Sequence, residues 1–205
     1  MQLPPFIIVG IDAVGAFRSL NFLPWPPGVG DGGFRPECAR WPGGGVDNYL
    51  RRVVTEMLPF AEHHFAASPL RERRVFGGAS FAGVAALHMA LRYPNVFGGI
   101  LAESPSLWAG EGRYLGTMAA HDGPMPERVW LGSGTREYSG TREIENLDVD
   151  RLLSHYHNEA ARILDSKGVR DGRLKYQVDE GAGHHEGAWA WRLTAALIHL
   201  FHGRM

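Results

Sequence analysis

Apolar residues fall along this chain in short unbroken runs separated by longer amphipathic stretches. Phe6-Ile7-Ile8-Val9-Gly10-Ile11 closes on Asp12, the pattern of a strand buried on both faces. Shorter runs begin at Val75, Gly98, Val129 and Leu174. Between them the period changes to that of helices. Residues 47–64 carry an inward stripe of Leu50, Val53, Val54, Met57 and Leu58, with Asp47 as the expected cap and Pro59 as a kink or restart. Residues 84–93 are helical and end before Pro94, residues 150–167 place Leu152, Leu153, Tyr156, Ala160, Ile163 and Leu164 inward, and a last helix spans 186–201. Strands alternating with helices predict an α/β fold with a mostly parallel sheet flanked by helices. Residues 24–45 break the rhythm: they are dense in Pro and Gly, which predicts either disorder or a loop over a site.

A chain of 205 residues suits one domain, 1–205, with a sizeable core. Its apolar share of 44% and charged share of 21% are ordinary for a globular protein. A formal net charge of -1 argues against nucleic-acid or membrane-surface binding driven by bulk charge. The single cysteine, Cys38, excludes an internal disulfide framework, and no apolar run reaches the length of a membrane span. Met1 to Pro5 lack the basic start and apolar stretch of a signal peptide, so the expectation is a cytoplasmic enzyme acting on a small molecule.

Chemistry enters at Val75-Phe76-Gly77-Gly78-Ala79-Ser80-Phe81-Ala82-Gly83. This reads as a strand, a sharp turn with Ser80 at its apex, and a helix. Such an elbow strains the serine backbone and demands small residues two positions away on either side; Gly78 and Ala82 meet that need, with Gly83 one place beyond the usual second glycine. Two further strand ends carry reactive groups: Glu137 after the Val129 run and His184 after the Leu174 run. The order serine, acid, histidine is that of the α/β-hydrolases. A serine hydroxyl needs an imidazole to take its proton, and the imidazole needs a carboxylate to fix its tautomer. Asp148 is the rival acid and His185 the rival base. The ten histidines include adjacent pairs but no His-Glu-x-x-His spacing, and neighbours on a helix point apart, so neither a metal nor another cofactor is expected. Trp189 and Trp191 have two open roles, walls of an acyl or aromatic pocket together with the Pro/Gly loop, or core packing, and core packing is the expected one.

These residues resemble the Putative esterase family of α/β-hydrolases, the group of enterochelin esterase, esterase D and the mycolyltransferases. The likeness rests on residues 7–12, Gly43 to Asp47, Gly77 to Leu87, Leu91 to Gly98, Glu103-Ser104-Pro105-Ser106-Leu107-Trp108, Gly134 to Glu137 and Gly183 to Glu186. The resemblance implies a serine esterase that cleaves a small-molecule carboxylic ester through an acyl-enzyme, with Ser80 as nucleophile, His184 as base and Glu137 as acid. It leaves open an acyltransferase of the same family, or an inactive hydrolase-like binding module. In the family, further strands precede the segment matched by residues 6–12; one of them neighbours the elbow strand and leads into a loop donating an oxyanion N–H. This chain starts almost at that segment. An N-terminally shortened sheet is therefore expected, with the Phe81 N–H as the one oxyanion donor in view. A fragment, a mis-assigned start, or a compact variant that re-pairs its strands with a second copy would each fit.

Overall fold

The structure, a computed structural model, describes residues 3, 5–12 and 15–201. Of the segment read for a signal peptide, Met1, Gln2 and Pro4 lie outside the described residues. Four parallel strands form the sheet in chain order: β1 (Val75–Ala79), β2 (Gly99–Glu103), β3 (Arg128–Gly134) and β4 (Leu174–Asp179). Helices α1 (Arg18–Phe22), α2 (Val46–Arg52) and α3 (Leu58–Phe65) precede the sheet. Helices α4 (Phe81–Arg92), α5 (Arg113–Ala119) and α6 (Leu147–Ser166) lie between the strands, and α7 (Glu186–Phe201) follows them.

Alternation along the strands divides the core between two faces. Ile100, Ala102, Val129 and Leu131 join the large cluster with Val84 and Leu87 of α4 and Ile163 of α6. Leu101 and Trp130 point the other way, against Ala196 and Leu200 of α7. Both helical layers thus grip the middle strands and hold their carboxyl ends at one edge of the molecule, where ligands gather in open parallel sheets.

Three expectations need correction. Residues 6–12 form no strand; Phe6, Ile7, Ile8 and Val9 are 40%, 51%, 76% and 54% exposed. A buried strand needs neighbours for its N–H and C=O groups, and among the described residues no strand lies beside this segment. Its one ring contact stacks Phe6 on Phe201 at 5.8 Å. Among the described residues β1 likewise pairs only with β2, so it forms one edge of the sheet. Asp47 does not cap α2, which starts after Gly45; its carboxylate instead meets His88 (3.2 Å) and Arg92 (2.9 Å) on α4. Trp191 is 84% exposed rather than packed in the core.

Pro59 acts as expected. It sits in the first turn of α3, after a π-turn at Val53–Met57 in which the Leu58 N–H reaches back to Val53 O. The Pro/Gly-rich stretch is an ordered loop. Gly44 and Gly45 donate to Leu23 O and Leu20 O, Gly110 donates to Pro27 O, and Cys38 is fully buried.

Candidate active site

Ser80 stands between β1 and α4 with φ 62° and ψ -125°, a strained backbone that non-glycine residues rarely adopt. The turn is tight enough to dictate its neighbours. A Cβ on Gly78 would lie 2.6 Å from the Ala82 Cβ and carbonyl oxygen. Because the backbone of residue 82 is part of that clash, position 78 must be glycine whatever stands at 82, whereas position 82 tolerates alanine. A Cβ on Gly83, the displaced glycine, would lie 3.0 Å from Pro105 Cα, where α4 crosses the segment after β2. Phe81 begins α4, where the first N–H groups lack intrahelical partners; its ring is buried against Trp41 and Trp108.

Glu137 and His184 come from the loops after β3 and β4. These loops pack backbone to backbone: the Arg136 N–H donates to Ala182 O (3.0 Å), and side chains at Gly134 or Gly183 would collide with Ala182 and Gly140 respectively. The approach brings Glu137 Oε2 to 2.6 Å from His184 Nδ1. Glu137 Oε1 accepts from the Gly134 N–H (2.6 Å) and the Ser104 hydroxyl (2.7 Å). The carboxylate is 2% exposed. Burial alone would raise its pKa, but hydrogen bonds from His184 and Gly134 and the nearby His157 and His184 rings hold it down at about 2. Asp148 is elsewhere, exposed on α6 and paired with Arg151. His185 accepts the Ala188 N–H at the start of α7.

Ser80 does not reach His184 in this state. Its hydroxyl pairs with the Ser106 hydroxyl at 3.2 Å, and no hydrogen bond joins it to the imidazole. The segment Ser104-Pro105-Ser106 therefore touches both halves of the site. Ser104, itself at φ 41°, holds Glu137, while Ser106 holds Ser80. Buried His157 accepts no freedom for that segment either: its Nε2 donates to Pro105 O at 3.0 Å. Trp189 closes the other side, with its indole N–H on Ser104 Oγ (3.0 Å) and its ring edge-on to His184 at 5.2 Å. Behind them Arg192, 2% exposed, pairs with Glu103 (2.8 Å) and Asp179 (3.2 Å).

Sequence reasoning did not single out Ser104, Ser106 or Arg192 for these places, and it offered Trp189 a pocket wall only as the lesser of two roles. A charged residue within the apolar run of α7 was the one signal for Arg192, and nothing local names its partners. Among the described residues no cluster of three or more His, Cys, Asp or Glu side chains could hold a metal, and no helix is long and apolar enough to cross a membrane.

The model of the family described as Putative esterase matches residues 1–200. The chain belongs to this esterase family. Among relatives, iron(III) enterobactin esterase of Escherichia coli strain K12 is 32% identical over 99% of this chain and 44% of its own length. The uncharacterized protein YbbA of Bacillus subtilis is 24% identical over 98% of this chain and 75% of its own length. This chain thus spans less than half of that enterobactin esterase. The fold is that of an IroE-like serine hydrolase from Shewanella oneidensis, with a TM-score of 0.66 at 18% identity over 90% of this chain and 56% of that one.

Proposed function

We propose that the protein is a serine hydrolase of carboxylic esters working through an acyl-enzyme. The observation that carries this reading is the buried Glu137 carboxylate fixed on His184 Nδ1 at 2.6 Å, beside a serine held in an elbow conformation. Glu137 fixes the tautomer, so that His184 Nε2 is free of its proton and can accept one. Ser80 turns from Ser106 toward that nitrogen as substrate enters; hydrogen bonds of this kind are often long in empty sites and tighten in the complex. Ser80 Oγ attacks the ester carbonyl while its proton passes to His184. The Phe81 N–H faces the developing oxyanion at the positive end of α4. Collapse of the tetrahedral intermediate expels the alcohol with the proton from His184. Water activated by the same imidazole then releases the acid and restores Ser80.

The names of the relatives make siderophore esters a class to assay beside simple acyl esters. Hydrolysis of short p-nitrophenyl esters by the protein and by Ser80→Ala tests the reading. Loss of turnover in the variant supports it, and full activity without the hydroxyl refutes it. Added alcohol acceptors that divert the acyl group from water would identify an acyltransferase.

A further inference from the structure

Beside His184 and Ser106 the site opens into a pocket of about 250 Å3. Since an apolar cavity of about 150 Å3 can hold benzene, this space suits one ring with a substituent. Phe34, Trp108 and Tyr138 line it with aromatic surface, with Phe34 edge-on to both others at 5.3 and 5.9 Å.

Two guanidinium groups complete the wall. Arg35 lies over the Trp108 ring at 5.6 Å, and Arg142 over the Tyr138 ring at 4.2 Å. Arg35 has Glu37 as ion-pair partner at 2.6 Å. Arg142 has no carboxylate within ion-pair distance among the described residues; its hydrogen bond goes to the Tyr138 carbonyl at 3.4 Å. The other charged group of the lining, Glu137, is already engaged by His184. Burial and the neighbouring Arg35 both weaken Arg142's hold on its proton. The carboxylate nearest in effect, Glu37, favours Arg142's charge from a distance but is itself paired with Arg35; a carboxylate bound directly on Arg142 relieves its burial further, and the planar fork of arginine suits a carboxylate's two oxygens.

Resting on the reading of Ser80 as an ester-cleaving nucleophile, we propose that this pocket selects esters bearing an aromatic carboxylate. The ring packs against Phe34, Trp108 and Tyr138, and the carboxylate meets Arg142 with Arg35 beside it. Ser106 links the pocket to the reacting centre, because its hydroxyl lines the one and touches Ser80 in the other.

Two pairs of esters test this. 4-Nitrophenyl benzoate and 4-nitrophenyl 4-carboxybenzoate place the carboxylate on the acyl side; phenyl acetate and 4-acetoxybenzoate place it on the alcohol side. In one pair, kcat/KM for the acid should exceed that for its neutral counterpart by about tenfold or more, as expected of a charge-assisted hydrogen bond. That ratio should fall to about one in Arg142→Gln and be partly kept in Arg142→Lys. A preference absent from both pairs, or unchanged in Arg142→Gln, overturns the proposal. Failure to cleave any of the four esters speaks instead against the esterase reading. The pocket then stands or falls by calorimetry with benzoate and benzamide. Tighter binding of benzoate that Arg142→Gln abolishes supports the proposal, and equal binding of the two overturns it.

Discussion

Glu137 meets His184 across two loops whose backbones touch, with 2.6 Å between Oε2 and Nδ1. The other carboxylate oxygen is held by Gly134 and Ser104, so the group has little freedom to do anything but orient the imidazole. Replacing Glu137 with Gln keeps the shape and leaves a neutral partner that no longer enforces one tautomer. The expected loss in kcat for p-nitrophenyl ester hydrolysis is on the order of 10³ to 10⁴. Steady-state kinetics on the folded variant checks it.

The same carboxylate gives a pH prediction. Its pKa is held at about 2 in the folded chain, below its ordinary 4.5. A depressed carboxylate contributes stability that is fully present above the unfolded pKa and is lost as pH falls from about 4.5 toward 2. Denaturant unfolding across that window should show wild-type stability falling more steeply than that of Glu137→Gln. Parallel profiles would contradict the assignment.

Ser104 joins the acid to the rest of the scaffold through Glu137 and Trp189. Ser104→Ala should lower unfolding free energy by about 1–3 kcal/mol, since buried groups lose a partner. As a positioning residue it should also reduce kcat more than it changes KM. A stability loss without any kcat effect would leave Ser104 a purely structural residue.

The elbow predicts an asymmetry between two small residues. Gly78→Ala drives a methyl to 2.6 Å from the Ala82 Cβ and carbonyl oxygen and should cost about 1–3 kcal/mol through overpacking. Ala82→Gly removes nothing the turn needs and should cost about 1 kcal/mol of helix propensity. Thermal unfolding of the two variants compares them.

Much of this architecture is legible along the chain. Runs such as 129–132 and the stripe in α6 carry their periods openly, because local pattern and burial agree there. The order of Ser80, Glu137 and His184 at strand ends is legible too, since each follows an apolar run by a few residues. What cannot be read is anything decided by contacts distant in sequence. Residues 6–9 have a buried strand's composition but lack neighbours, so they stay exposed. Asp47 looks like a cap, yet α4 offers it two nitrogens. The hydroxyls of Ser104 and Ser106, and Arg142 above Tyr138, gain their places from tertiary packing alone.

Arg192 illustrates how far apart such partners lie. It is buried with Glu103, 89 positions earlier in the chain, and with Asp179. Arg192→Met takes the guanidinium from Glu103, leaving that buried carboxylate with the Trp130 indole N–H at 2.6 Å but without its counter-charge, which should cost about 3–5 kcal/mol. Combining it with Glu103→Gln should recover part of that loss, and a double-mutant cycle measures the coupling.

Whether Ser80 is the nucleophile is read most directly from the intact mass of the protein after treatment with a fluorophosphonate. One adduct per chain is expected, mapped to Ser80 by peptide fragmentation and absent from Ser80→Ala. An unmodified protein, or an adduct that persists in Ser80→Ala, would contradict that role.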